Sequence, residues 1–216
     1  MGAQEILKKV RCVIYDCDGV LFDSFEANTK LYNDLCALVG RGPLKKEEME
    51  FVHTHTVFEA IHFIFGNKDD LEKKALEMLR EKQVDLKNYI VYLKMEPHLI
   101  QILENLKEKR ILRAINTNRT TSMEHIMDRF NLRPHFEMVV TALDVKNPKP
   151  HPESIEKIIE TFRLKKEEAV FVGDSEVDKQ TAESSGVRFV AYKNREIANN
   201  LFIEDHLELL NLISNR

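Results

Sequence analysis

Val10-Arg11-Cys12-Val13-Ile14-Tyr15-Asp16-Cys17-Asp18-Gly19 is the stretch on which the fold turns. Five of its first six residues are apolar or aromatic, with a strong β-branched share, and the run stops abruptly at two acids and a glycine. A short apolar run bounded in this way reads as a buried strand of a parallel sheet whose carboxyl end opens into a loop. The next segment is different in kind. From 25 to 95 no strand pattern is evident, and apolar residues recur at helical spacing instead: Leu31, Leu35 and Leu38, then Phe58, Ile61, Ile64 and Phe65, then Leu71, Ala75, Met78 and Leu79. Beyond Glu96-Pro97 the chain alternates regularly. Pro97 opens a helix, a strand is expected at 111–116, a helix at 120–130, a strand at 136–141 and a helix after Pro152. A strand at 169–172, a helix at 176–185, a strand at 187–192 and a closing helix over 196–212 complete the series. Strands alternating with helices of this length mean βαβ units and a doubly wound parallel sheet. The helical block 25–95 is therefore an insertion between the first strand and the rest of that sheet.

Composition narrows the class without naming it. The 216 residues carry 32 Lys plus Arg against 36 Asp plus Glu, a net charge of −4, with 43% hydrophobic and 31% charged residues. Those values belong to an ordinary folded domain, and the chain is long enough to bury a core without disulfides. A mild acidic excess argues against a broad nucleic-acid surface or a polybasic membrane anchor. No apolar run reaches the length that spans a bilayer, and the first residues lack a secretory apolar region. The three cysteines, Cys12, Cys17 and Cys36, are odd in number and show no metal-ligand spacing, so free thiols in a reducing cytoplasm are expected.

In open α/β sheets the binding crevice lies at the carboxyl ends of the strands. The expected strand ends carry Asp16 and Asp18, then Thr117 and Asn118, then Lys149 in the loop after the third strand, then Gly173-Asp174. Asp174 and Asp178 taken alone would pass for helix N-terminal acids. Gathered on one edge, the carboxylates repel unless a hard divalent cation such as Mg²⁺ neutralises them. A lysine and a hydroxyl beside them call for an anionic ligand, and a phosphoryl group between a magnesium ion and a lysine meets both demands.

Asp16-Cys17-Asp18-Gly19-Val20-Leu21-Phe22-Asp23-Ser24 resembles the D-x-D-G-[TV]-L-x-D-S signature of the haloacid dehalogenase-like phosphohydrolases. The Thr117-Asn118 pair, Lys149-Pro150-His151-Pro152-Glu153 and Gly173-Asp174-Ser175-Glu176-Val177-Asp178 come in that family's order. The likeness spans essentially the whole chain and is greatest to the phosphoglycolate phosphatase and β-phosphoglucomutase branch. It implies a Rossmann-like core at 1–24 and 96–216 and a helical cap domain at 25–95. It further implies Asp16 as the nucleophile that becomes an aspartyl phosphate, Asp18 as general acid and base, and Mg²⁺ held by Asp16, the Asp18 carbonyl and Asp174. Thr117 and the Asn118 amide would bind phosphoryl oxygens, Lys149 would offset their charge, and Asp178 would orient Lys149 or the metal site. Dehalogenating members lack an acid at position 18, so its presence favours phosphoryl chemistry.

The expected activity is a Mg²⁺-dependent phosphatase acting on a small phosphorylated metabolite, with a sugar-phosphate mutase as the alternative and a phosphorylatable receiver-like module as a third possibility. The receiver needs neither Asp18 nor the insertion. Arg119 is a candidate for a second anionic group on the substrate, while Arg41, His53 and His55 are candidates for specificity within the cap. Lys146 rivals Lys149, and Asp23-Ser24 reads as a turn and N-cap to the first inserted helix. A monomer or homodimer is expected, with no nucleic-acid or membrane partner.

Overall fold

The computed structural model describes residues 7, 9–66 and 69–213. The outermost residues of the expected core segments, 1–6, 8 and 214–216, lie outside the described residues. Six parallel strands form one sheet in the order β5-β4-β1-β6-β7-β8. They are β1 (Cys12–Tyr15), β4 (Leu112–Asn116), β5 (Met138–Val140), β6 (Ala169–Gly173), β7 (Arg188–Tyr192) and β8 (Phe202–Ile203). β1 lies between β4 and β6, with Tyr15 opposite Ile115 on one side and Val172 on the other. This is the topological switch point of a doubly wound sheet, where the chain departs in opposite directions and leaves a crevice at the strand ends.

Alternation along the strands explains the layering. Val13 and Tyr15 of β1, with Val170 and Val172 of β6, pack into one hydrophobic cluster beside helix α5 (Leu99–Glu108) and helix α6 (Ser122–Arg129). Cys12 and Ile14, with Ala169 and Phe171, point the other way into a second cluster with α7 (Glu153–Phe162) and α8 (Glu176–Ser185). Because β1 is covered on both faces, its sequence is a continuous apolar run rather than an alternating one.

The insertion builds its own apolar cluster. Helices α1 (Phe25–Leu38), α2 (Lys46–Val52), α3 (Val57–Phe65) and α4 (Asp69–Arg80) contribute Leu31, Leu35, Val52, Ala60, Ile61, Phe65, Ala75 and Met78 to it. Thr56 caps α3, its hydroxyl accepting from the Glu59 amide while the Glu59 carboxylate accepts from the Thr56 amide. Both ends of the insertion are tied together by a two-stranded antiparallel ribbon, β2 (Phe22–Asp23) with β3 (Lys94–Met95). β3 is a strand inside a block expected to have none. At two residues it is too short to leave a periodic signal.

The closing helix expected over 196–212 does not form. Residues after Lys193 make a bend containing Asn199 and Asn200, then β8 adds a sixth strand beside β7. Asp205 caps a 3₁₀ turn over His206–Glu208, and only Leu209–Leu212 is α-helix, α9. The paired asparagines favour turns over helix and Phe202-Ile203 favours strand. The apolar spacing that suggested one helix is shared between a strand and a single helical turn. Ser24 precedes α1 but makes no side-chain cap bond; Asp23 instead accepts from the Phe25 amide at 3.1 Å.

Candidate active site

Asp16 stands at the end of β1, its amide donating to Val172 O of β6 at 2.9 Å. Its carboxylate is buried and accepts a hydrogen bond from Lys149 Nζ at 2.7 Å. The same Nζ donates to Asp178 Oδ1 at 2.6 Å. Lys149 is 3% exposed and Asp178 fully buried, so the ammonium is held between two carboxylates in a water-poor space. There each charge is tolerated only because the others are present. Lys146, its rival, is exposed.

The loop that carries Lys149 is fixed by Asn118. Its side chain accepts from the Lys149 amide at 3.1 Å and donates to the Lys149 carbonyl at 3.1 Å. The sequence points only to a role for the Asn118 amide and gives no sign of this clamp. Thr117, at the end of β4, accepts from the Arg119 amide through its hydroxyl oxygen at 3.1 Å, which leaves its own proton free for another acceptor. Asp178 is placed by Ser175, the N-cap of α8. The hydroxyl donates to Asp178 Oδ2 at 2.6 Å and accepts from the Asp178 amide at 3.2 Å. The Ser175-x-x-Asp178 capping pattern was the available signal for Ser175.

Asp174 approaches from the end of β6. Gly19, with φ +75°, lies so close beneath it that a Cβ there would stand 1.9 Å from Asp174 Oδ2. Only glycine fits this close approach in a left-handed conformation. Oxygen atoms of Asp16, Asp174 and Asp178 all lie within 4.8 Å of one another. Burial, with Asp178 beside it, pushes the Asp16 carboxyl up to about 7 against the pull of Lys149. Burial and the same neighbours raise Asp174 well above the ordinary carboxylate range. Burial works against the Lys149 ammonium, but Asp16 and Asp178 outweigh it and raise its pKa. Three carboxylates facing one ammonium are a hard oxygen donor set with excess negative charge, which fits a divalent cation of the Mg²⁺ type. Asp178 already serves Lys149 and Ser175, so Asp16 and Asp174 are the carboxylates better placed to serve an ion.

Asp18 points to the other side of the crevice. Arg119 Nη2 donates to Asp18 Oδ1 at 2.6 Å. Burial disfavours the Asp18 anion, but Arg119 and the Ser24 hydroxyl more than offset it and hold its pKa below the ordinary value. Between these groups and the insertion lies a partly open cavity, walled on the sheet side by Asp16, Asp18, Arg119 and Lys149. Asn28, His53 and His55 come to it from the insertion. Arg41 does not. Its guanidinium pairs with Glu48 and contacts Cys36 Sγ and the Phe65 ring, so the expectation that it reads substrate is corrected: a nearby acid has already claimed it.

Geometry of this kind agrees with the comparisons to known proteins. Residues 13–192 match the family of haloacid dehalogenase-like hydrolases. A crystal structure of a hydrolase of that superfamily, subfamily IA, from Geobacter sulfurreducens is 38% identical, with a TM-score of 0.80 over 94% of this chain and 100% of that one. Phosphoglycolate phosphatase of Rhodobacter capsulatus is 25% identical over 83% of both chains. Pyrophosphatase PpaX of Bacillus cereus is 26% identical over 85% of this chain and 83% of its own. The chain belongs to the haloacid dehalogenase-like hydrolase family. Within it, the protein is a hydrolase on a Rossmann-like α/β core.

Proposed function

We propose that this enzyme hydrolyses a small phosphomonoester of the phosphoglycolate type through an aspartyl phosphate on Asp16, with Mg²⁺ as cofactor. The single observation that carries the reading is the Lys149 ammonium shared by Asp16 and Asp178, beside a third buried carboxylate at the carboxyl end of the sheet. Asp16, Asp174 and the main-chain carbonyl of Asp18 would hold the ion, which supplies charge neutralisation for the attacking carboxylate and the phosphoryl oxygens.

Each residue has a distinct task in this scheme. An oxygen of Asp16 bonds to phosphorus as the bond to the leaving oxygen breaks. Substrate in the crevice competes for Arg119 and lets Asp18 take up a proton; Asp18 then delivers it to the leaving alcohol and takes one back from the water that attacks phosphorus, so that inorganic phosphate leaves and Asp16 is restored. Thr117, with its proton unclaimed, donates to a phosphoryl oxygen, and Lys149 meets the negative charge spread over that group. Asp178 and Asn118 act as positioning residues for Lys149. The segment 25–95 serves as the cap over a core of 1–24 and 96–216, excluding bulk water and meeting the leaving group with His53 and His55. The protein works in the cytoplasm as a monomer or homodimer.

A panel of small phosphomonoesters assayed for phosphate release, with and without Mg²⁺, tests this reading. Wild-type protein is expected to hydrolyse at least one of them only with the metal, and Asp16→Asn to lower turnover by at least about 10³-fold. Turnover of none of them by the wild type, or full activity in Asp16→Asn, contradicts it.

A further inference from the structure

Behind the turn that follows β1 lies a set of buried polar groups that the phosphoryl chemistry does not use. Glu96 comes directly after β3, where the chain returns from the insertion, and is 8% exposed. Its Oε2 accepts from the Tyr192 hydroxyl at 2.8 Å and from Lys193 Nζ at the end of β7. Lys193 stands in the left-handed region, with φ +54°, a conformation disfavoured for any residue with a Cβ and kept only where the surroundings impose it. The Glu96 amide donates to Leu21 O at 3.0 Å. The neighbouring carbonyl, Val20 O, accepts from His206 Nε2 at 2.9 Å, and the His206 ring stacks on Tyr192 at 4.5 Å and 19°. Tyr192 is fully buried and joins the two contacts, its hydroxyl on Glu96 and its face on His206.

Two consecutive carbonyls of the turn that carries Asp18 are thus held, one by Glu96 and one by His206. The turn is also closed on itself: the Gly19 amide donates to Phe22 O at 2.8 Å and the Leu21 amide to Cys17 O at 3.0 Å. A shift at Leu21 therefore reaches Cys17 and Gly19, the residues on either side of Asp18. We propose that Glu96 is a positioning residue for Asp18. Fastened by Tyr192 and Lys193, it fixes the turn after β1 so that the Asp18 carboxylate meets the leaving oxygen. A buried ion pair adds little stability beyond what apolar residues of like volume would give; holding a turn in one place is the property this one adds. The inference rests on the reading of Asp18 as general acid, and goes beyond it by placing control of that acid at the residue where the insertion ends.

The test compares leaving groups through kcat/KM, which reports the steps up to departure of the leaving oxygen. 2-Phosphoglycolate and 2-hydroxyethyl phosphate release alcohols that need a proton, whereas p-nitrophenyl phosphate releases a phenolate that leaves without one, so only the first two depend on Asp18 as acid. In Glu96→Leu, kcat/KM for the alcohol esters is expected to fall about tenfold and that for p-nitrophenyl phosphate to stay within about twofold of wild type. Glu96→Gln, whose amide oxygen still accepts from Tyr192, should keep both within about threefold. Tyr192→Phe removes one hydroxyl and keeps the stack, and should show the same selective loss at about threefold. Equal effects on the two kinds of ester in Glu96→Leu and Tyr192→Phe overturn the positioning role, since a purely structural defect lowers both alike, and leave the phosphatase reading standing. Absence of wild-type hydrolysis of all three esters overturns the phosphatase reading instead. Amide hydrogen exchange of the full-length protein tests the geometry apart from turnover. The Gly19 and Leu21 amides should exchange at least about tenfold faster in Glu96→Leu, with Ile61 and Phe65 of α3 unchanged; wild-type rates at Gly19 and Leu21 contradict the proposal.

Discussion

The sheet edge and the loop between α2 and α3 face each other across one small cavity, and they solve opposite problems. At the sheet edge, ionised groups are buried in contact: Lys149 with Asp16 and Asp178, and Arg119 with Asp18. In the loop, His53 is neutral and shielded, while His55 is engaged with Thr54 and the Phe51 carbonyl and stacked on the Phe51 ring. In the proposed mechanism, charge is concentrated where bonds to phosphorus change, and His53 stands where the remainder of the substrate would be recognised. Buried charges at the edge are held by mutual compensation, so removing one disturbs all of them. Loop residues are held by stacking and single hydrogen bonds, so their changes should affect recognition more than folding.

Removal of Lys149 is the most severe way to probe this contrast. Lys149→Met strands Asp16 and Asp178 without a cation, and a loss of about 3–5 kcal/mol in stability is expected, together with a drop of about 10²–10³-fold in turnover. Thermal unfolding of the metal-free variant should show the destabilisation, and added Mg²⁺ should restore part of it by replacing the lost charge. A melting temperature equal to wild type would mean that the edge is not the compensated network described here.

His206 gives a smaller effect with a defined sign. It is fully buried behind the Asp16–Ser24 loop, with Nε2 2.9 Å from Val20 O and its ring stacked on Tyr192. Burial lowers its pKa to about 4, against about 6.5 in an unfolded chain. The folded state therefore binds fewer protons between those values, and stability rises with pH across the window. As pH falls from about 6.5 to about 4, roughly 3 kcal/mol is lost through this group. His206→Gln, which keeps a donor for Val20 O but does not titrate, should flatten the acid-side decline in melting temperature. An equally steep decline in the variant would remove His206 from the explanation. Smallest of all is the expected effect of Arg41→Ala. With its guanidinium committed to Glu48 and Cys36, kcat/KM should stay within about twofold of wild type. A larger fall would bring Arg41 back into substrate recognition.

The contrast also explains what could be read from the chain alone. Asp16, Thr117 and Asp174 sit just after strand ends, and strand ends announce themselves through local apolar runs and the residues that stop them; Lys149 lies in the loop nine residues beyond β5. Ser175 and Asp178 are linked by a capping pattern that is equally local. Arg41 and His53 look alike as candidates until their partners are known. Glu48 lies seven residues from Arg41 and Asn28 lies 25 from His53, and neither spacing leaves a periodic trace. The same limit applies to the C-terminal region, where one apolar pattern is divided between β8 and α9. Asn118 is recognisable at its strand end, but its side-chain clamp on Lys149 spans 31 residues and belongs to the tertiary structure alone.

The central claim, that Asp16 itself carries the phosphoryl group, is open to direct chemical trapping. Wild-type protein turning over a phosphomonoester in the presence of Mg²⁺ is quenched and treated with borohydride, which reduces an aspartyl phosphate to homoserine, and the site is located by peptide mass spectrometry. Homoserine at position 16, absent without substrate and absent in Asp16→Asn, is the expected result. Continued hydrolysis with Asp16 unmodified, or with the modification at another aspartate, contradicts the account.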